Sequence, residues 1–549
     1  MAPSSMPGSI ADAARSALEI GTGTARATIA LTRSGVVRPI RPERLYGMGR
    51  ALVRYGYSVT AAFCVGAARH PYRLAVVDDD GVLTYAELDA RTDRIAQALL
   101  ASGAAPGGAV GILCRNHRAP VEVMVAAGKA GADVVLLNTG LSAEQLRGVA
   151  QQQKLHTVVT DPDFTHLIPD GPRVIRTDGD GPGTLNAMAE AGGPAELPFK
   201  PERSRMIVLT SGTTGTPKGA KRPHPSSLAP AASILSAIPL RAGEPVLIAA
   251  PLFHTWGNAA LMLAALHGST VVLARAFEPK AFLDVVERRR CTTIFAVPVM
   301  LQRVLDHVRD AESPGEGWAG SHRPRIVSVS GSALPAEQAL SFMDRFGDCL
   351  YNLYGSTEVS WVSIAGPADL RAAPGTAGRA PAGTTLVILG DDDQPVGPGV
   401  EGRVFVGNDL PFDGYTGGES SLEERDGLLG TGDVGHLDDH GRLHLTGRAD
   451  DMIVSGGENV HPGPVEELIA SAEGVREVTV LGVPDEKFGQ RLAAYVVRAT
   501  GSQLDGDTVR DLVRGELAKF AVPRDVHFLD ELPRNQSGKV LRTELPGQS

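Results

Sequence analysis

Residues 73–103 read RLAVVDDDGVLTYAELDARTDRIAQALLASG, and the period of their apolar residues changes once along the stretch. Leu74 to Val77 and Val82–Leu83 are short apolar runs on either side of Asp78, Asp79, Asp80 and Gly81, which is the chemistry of strand, turn and strand. From about Tyr85 the spacing of Leu88, Ile95, Leu99 and Leu100 predicts a helix. Further on, AVGILCRN (109–116), DVVLLN (133–138) and HTVVTD (156–161) are apolar runs bounded by turn residues, as expected of buried parallel strands. The alternation continues past residue 350, so the fold class read from these segments is α/β.

The composition changes at both ends of this body. After about residue 375 come short strands punctuated by Gly and Pro, TTLVILG, GRVFVG and GRLHLTG, which predict a small antiparallel β unit. From Asp451 a glycine-rich turn opens a last segment with helices expected near 464–472 and 506–518, a small α+β domain. Residues 1–58 hold eight arginines against three acids in a chain of net charge −10. Within them, and running on to Phe63, Arg50 and Arg54 alternate with Tyr46, Met48, Leu52, Val53, Tyr55 and Tyr57. An amphipathic helix packed on the main domain is the preferred reading, and a helix lying on an anionic membrane is the other. The expected divisions are a basic extension (1–58), a large domain (59–449) and a small C-terminal domain (450–549), within the two to four units that 549 residues suggest.

The acidic balance argues against nucleic acid as a partner. Cys64, Cys114, Cys291 and Cys349 form no C-x-x-C pair, so reduced thiols in a cytoplasmic protein are expected. Asp12, Arg15, Glu19 and Arg26 interrupt any signal-peptide core, and no apolar run reaches the roughly eighteen residues a spanning helix needs.

The densest signal for chemistry is IVLTSGTTGTPKGAKR, residues 207–222. A strand end runs into Thr210, Ser211, Gly212, Thr213, Thr214, Gly215, Thr216 and Lys218. Glycines let backbone amides converge on one point, the hydroxyls add donors, and Lys218 adds charge, which together suit phosphate oxygens. The spacing is not that of a Walker A loop. GTGDVG (430–435) fits G-x-G-x-x-G, but HLDDHGRLHLTG follows as strand–turn–strand where a dinucleotide site needs a helix. What remains there is Asp433, a carboxylate suited to a ribose diol. No G-x-S-x-G or H-E-x-x-H occurs. His254 in PLFHTWG, in apolar surroundings, reads by itself as a satisfied core histidine before a functional one, and Glu358 in LYGSTE as a surface acid or, more sharply, a magnesium ligand near phosphates.

Taken together, these strings resemble the acyl-adenylate-forming superfamily of acyl-CoA synthetases, peptide-synthetase adenylation domains and beetle luciferases. Over residues 75–545 the loop at 210–219, PLFHTWG (251–257), SGSALP (330–335), LYGSTE (353–358), TGDVG (431–435), GRADDMIVSGGENVHPGPVEE (447–467) and PRNQSGK (533–539) stand in the family's order. The resemblance implies that Thr210 to Lys218 wrap the ATP phosphates and that Ser332, Ala333, Tyr354 and Gly355 hold adenine. It implies Thr357 at the α-phosphate, Glu358 on Mg2+, and Asp433 with Arg448 on the ribose. Lys539 would bridge carboxylate and α-phosphate, with His254 at the junction of acyl pocket and nucleotide site. Thr255, Trp256, Gly257, Met300 and Ser330, together with Val299 and Trp361, would line the acyl pocket. Asp450 would be the hinge of a mobile C-terminal domain. Ser455, Gly456 and Gly457 would wall the path of coenzyme A, with Phe488 and Phe520 near it.

The implied reaction is ATP-dependent ligation of a carboxylic acid to coenzyme A through an acyl-adenylate. Pro464 departs from the family's usual glutamate and is expected at a helix start. TWGNAALMLAAL offers no cation for a second carboxylate, so a medium- to long-chain fatty acid is the leading substrate, with an aryl acid behind it. A fatty acyl-AMP ligase loading a carrier protein shares nearly every motif, and a silent scaffold of the same fold is the rival of a different class. The resemblance also points to a lysine acetyltransferase as a partner, acting on Lys539 in its P-x-x-x-x-G-K string, and leaves room for a homodimer.

Overall fold

The computed structural model describes residues 28–104, 107–209, 217–221, 225–310, 318, 322–410, 412, 414–416, 422–455, 458–485, 489–535 and 538–547. The strand, turn, strand and helix expected first are present as Leu74–Asp78, Gly81–Thr84 and Tyr85–Ala101. The helix opens with a capping box in which Thr84 and Glu87 satisfy each other's backbone N–H groups.

The α/β body is built on two sheets, a division the alternating pattern alone does not reveal. One has eight strands, in the order 360–365, 350–356, 326–329, 293–296, 246–248, 271–272, 74–78 and 81–84. Its inner pairs are parallel, and only the outermost pair at each edge is antiparallel. The other has six strands, in the order 173–176, 155–160, 109–113, 133–136, 206–209 and 219–220. One core runs through both and includes Val110, Ile112, Met124, Ile248 and Leu261. Asn116 stitches them: its amide donates to the carbonyls of Ile248 (3.1 Å) and Ala250 (2.9 Å), and its oxygen accepts from the Leu252 N–H (2.9 Å). A buried side chain with all its polar atoms engaged fixes the angle between layers at little cost.

Thr385–Leu389, Gly402–Gly407, Leu428–Leu437 and Leu443–Arg448 form the expected antiparallel β unit. The GTGDVG string lies inside Leu428–Leu437, which pairs with Leu443–Arg448, so no helix follows it. The last sheet, centred on Val475–Asp485 and Gly489–Arg498, carries the helices Pro462–Ala470 and Gly506–Glu516. Pro462 takes the first helical position and Pro464 the third, both within the turn whose N–H groups have no intrahelical acceptor. The stretch around residues 42–69 folds as two helices, Pro42–Tyr55 and Val59–Arg69, packed on the body. All four cysteines are free, and Cys114, Cys291 and Cys349 are buried. Among the described residues no helix is long and apolar enough to cross a membrane.

Candidate active site

Thr210, Ser211, Gly212, Thr213, Thr214, Gly215 and Thr216 lie outside the described residues, but both ends of their loop are placed. Leu209 pairs with Gly219 and Val208 with Ala220 across an antiparallel ladder, so the chain leaves and re-enters one sheet edge. The Gly219 N–H donates to Thr416 Oγ1 (3.1 Å), and the Lys221 N–H to the Gly414 carbonyl (2.9 Å). The Lys218 ammonium lies 5.8 Å above the Tyr415 ring, whose hydroxyl donates to Glu358 Oε1 (2.8 Å). Tyr415 thus joins the base of the loop expected on the phosphates to the acid expected on the metal. Nothing in the local sequence singled it out, because its partners are remote along the chain.

The strand holding Tyr354 runs two residues beyond it, Leu350–Ser356, and Glu358 lies within the hairpin turn itself. Gly355 is required there, since a Cβ would stand 1.9 Å from the Ser360 carbonyl oxygen. Ser356 Oγ accepts the Glu358 N–H (3.2 Å) and donates to Glu358 Oε2 (2.9 Å). Each carboxylate oxygen of Glu358 therefore has a hydroxyl fixing its direction. Thr357 Oγ1 lies 3.0 Å from Thr255 Oγ1, at the start of the helix Thr255–Leu266, whose N-terminus carries a partial positive charge.

Asp433 and Arg448 face each other across the β ladder and are joined at 3.4 Å. The Tyr354 hydroxyl donates to Asp433 Oδ2, and burial pushes that phenol well above its usual range. Burial also raises Asp433, against the opposing pull of Tyr354 and Arg448. Gly432, at φ 77°, leaves room for the Arg448 guanidinium, which a Cβ would approach to 2.9 Å.

Thr255, Tyr354, Thr357, Glu358, Tyr415, Asp433 and Arg448 border one continuous cavity of about 2470 Å3, while the Lys218 side chain lies outside its lining, over the Tyr415 ring. Ser330, Ser332 and Ala333 enter it from the loop after the strand Ile326–Val329, at the carboxyl end where α/β sheets bind ligands. His254, Thr255, Trp256 and Ala259 enter it from one helix start, and Val299 and Trp361 also line it. Two expected pocket residues do not. Gly257 backs onto the main chain, where a Cβ would meet the Pro251 oxygen at 2.2 Å, and Met300 is buried in the core. Met300 follows Val299 by about 100° around its helix, so the cavity face is carried by Val299 and Gln302 instead. His254 Nε2 is buried with no hydrogen-bond partner among the described residues, and burial pushes the imidazole down to about 4. Both indoles are held: Trp256 Nε1 donates to the Ala296 carbonyl (3.1 Å) and Trp361 Nε1 to Thr384 Oγ1 (2.9 Å).

The C-terminal domain brings Lys539 to the same cavity. The Lys539 N–H donates to Asn535 Oδ1 (3.0 Å), and its carbonyl accepts from the Asn535 N–H (2.9 Å). Arg534 holds the Gly538 carbonyl (2.6 Å) and pairs with Glu477 (2.7 Å). Gly538 lies flat on the large domain, where a Cβ would meet Val299 Cγ1 at 2.7 Å. Asp450 occupies the exposed turn between the β unit and this domain, paired with Arg448 (2.8 Å). Burial would raise its pKa, but Arg448 and the nearby Lys539 hold it below the usual range. Ser455 pairs with Gly489 in the C-terminal sheet and does not border the cavity, because the domain presents its Lys539 loop instead. Phe520 is 43% exposed in a short turn. Gly456, Gly457 and Phe488 lie outside the described residues.

The AMP-binding enzyme family matches residues 63–416, and the AMP-binding enzyme C-terminal domain matches residues 464–539. The chain belongs to this family and is an AMP-forming acid–thiol ligase. It is 34% identical to a feruloyl-CoA synthase of Amycolatopsis sp., over 87% of this chain and 96% of that one. It is 32% identical to an indoleacetate–CoA ligase of Aromatoleum aromaticum, over 87% and 96%. Among solved structures, ATP-bound MatB from Rhodopseudomonas palustris superposes with a TM-score of 0.78 at 28% identity, covering 88% of this chain and 98% of that one.

Proposed function

We propose that the protein ligates an aryl-bearing carboxylic acid to coenzyme A in two steps at one cavity. In the first, a carboxylate oxygen bonds to the α-phosphorus of ATP and pyrophosphate leaves. In the second, the coenzyme A sulfur bonds to the acyl carbon, AMP leaves, and the thiol proton passes to solvent. Two anions must meet in the first step, so the residues that matter are those that place positive charge between them. Lys539 borders the cavity and Lys218 stands beside it over the Tyr415 ring, while the hydroxyl of Thr357 and the helix start at Thr255 face the α-phosphate. Asp433 and Arg448 take the ribose hydroxyls, and Tyr354 packs beside adenine. Glu358 suits a magnesium ion, since its two oxygens are aimed by Tyr415 and Ser356 and offer hard anionic donors. Such an ion, bound with ATP, would spread the charge of the phosphates.

The lining of the acyl end carries the choice of acid. His254, Trp256 and Trp361 place three rings there, and both indole N–H groups are engaged elsewhere, so the walls are rigid and apolar. Fixed flat walls suit a flat ring better than a long flexible chain. The names of the relatives agree, being ligases of feruloyl and indoleacetate substrates. The fatty acid expected from the apolar lining alone therefore becomes the second reading. The test is a panel of hydroxycinnamic, arylacetic and saturated fatty acids, assayed for ATP-dependent thioester formation. An aryl acid should exceed every fatty acid in kcat/KM by about tenfold or more, one to two methylene equivalents of pocket discrimination. A fatty acid that leads the panel would overturn the choice of substrate and leave the reaction standing.

A further inference from the structure

The helix Pro42–Tyr55 is mounted with Leu45, Tyr46, Leu52 and Val53 facing outward. Its closest approach to the body is through small residues, with Met48 and Tyr55 half-buried beside them: Ala51 is 5% exposed, and a Cβ on Gly47 would stand 3.0 Å from Ala68 Cβ. Two arginines fasten it, Arg44 to the Arg69 carbonyl and Arg54 to the carbonyls of Pro198 (3.0 Å) and Phe199 (3.1 Å). On the outer face Leu45, Tyr46, Leu52 and Val53 are 51%, 78%, 42% and 65% exposed. They recur at helical spacing and form one stripe, with exposed Tyr57 just beyond the helix end. An amphipathic helix whose only task was to pack on the body would turn this face inward.

The charge around the stripe identifies what covers it. Residues 28–57 carry six arginines against the single acid Glu43, in a chain of net charge −10. Behind the helix pair, Asp89 and Asp93 are taken up by Lys129, each at 2.6 Å. A second copy of the chain seated on this face would oppose arginine to arginine across a two-fold axis. An anionic lipid surface offers the complementary charge, and tyrosines beside leucine and valine suit its headgroup boundary. We propose that this helix docks the protein on an anionic membrane surface, with Leu45, Tyr46, Leu52 and Val53 entering the headgroup layer and Arg41 and Arg50 pairing with lipid phosphates. The proposal is independent of which acid the enzyme activates.

The experiment is sedimentation of the full-length protein with phosphatidylcholine vesicles, with and without phosphatidylglycerol. Three proteins are compared: the natural one, Tyr46→Ser with Val53→Ser, and Arg41→Gln with Arg50→Gln. The natural protein should bind the anionic vesicles and not the neutral ones. Each double variant should bind about tenfold more weakly or less, as should the natural protein in high salt. All four substituted side chains are outside the active site, so turnover of a water-soluble acid and the thermal midpoint should not change. Failure of the folded natural protein to bind anionic vesicles would overturn the proposal, as would binding indifferent to both variants. So would a dimer in lipid-free solution that the Tyr46 and Val53 changes dissociate, which would assign the stripe to a second copy.

Discussion

Lys539 enters the cavity from a tight loop in which Asn535 holds both its N–H and its carbonyl, and Arg534 holds the residue before it. That rigidity suits a charge needed at one place in one step. Lys539→Ala is predicted to slow acyl-adenylate formation roughly 10²–10³-fold, as for the loss of a donor aimed at developing charge. Thioester formation from pre-made acyl-adenylate should change little, and equal losses in the two half-reactions would contradict the role. His254 makes a prediction of a different kind. Its imidazole titrates near 6.5 in an unfolded chain and is pushed down to about 4 by burial in the fold. The unfolded state therefore gains a proton first as the medium is acidified. This group's stabilising contribution is complete above about pH 6.5 and is lost as the pH falls toward 4. The loss is on the order of 2 kcal/mol, after a discount for solvent reaching the ring through the cavity. His254→Asn, which does not titrate, should lose correspondingly less stability than the natural protein between pH 7 and pH 4.5 in denaturant melts. Parallel losses would mean that solvent already reaches the ring freely.

Two elements meet where the C-terminal domain packs on the large one. The helix Pro298–Asp310 of the large domain presents Asp306, and the strand Val475–Asp485 of the C-terminal domain presents Arg476, 3.2 Å away. Asp306 also accepts from Gln302 (3.0 Å) and pairs with Arg309, so its position is fixed within its own helix. Arg476→Gln is predicted to lower the adenylation rate about two- to fivefold while sparing thioester transfer, in keeping with a part-exposed ion pair. Charge reversal at both positions, Arg476→Asp with Asp306→Arg, should recover part of the loss. An equal effect on both steps would mean that the pair does not select this domain arrangement. Neither residue stood out in the sequence, because a pair 170 positions apart leaves no local pattern. The same helix shows how element and residue differ in legibility. The family resemblance implies that the neighbourhood of 299–300 lies at the pocket, but the phase of the helix gives the cavity to Val299 and the core to Met300. At Pro42–Tyr55 the period was legible and the direction of the apolar face was not, since packing through Gly47 and Ala51 turns the stripe outward.

At the scale of the molecule, the α/β class, the appended β unit and the small last domain were legible because each has its own period and punctuation. The facing of Asp433 and Arg448 follows from the hairpin that its turn residues announce at 438–441. The split of the body into two sheets was not legible, since parallel strands read alike whichever sheet they join, and the suture at Asn116 depends on contacts more than a hundred residues away. The cavity exists only once these sheets, the β unit and the C-terminal domain close around it, which is why Tyr415 and the partners of Arg534, Gly538 and Glu477, emerged from the structure alone. In the proposed mechanism this assembled cavity joins an acid to AMP before coenzyme A acts. The direct measurement supplies an aryl acid labelled with 18O in both carboxylate oxygens, together with ATP and coenzyme A, and locates the label by mass spectrometry. One labelled oxygen should appear in AMP and one in the thioester carbonyl, with none in pyrophosphate. Label in inorganic phosphate with release of ADP, or thioester formed beside unlabelled AMP, would contradict it.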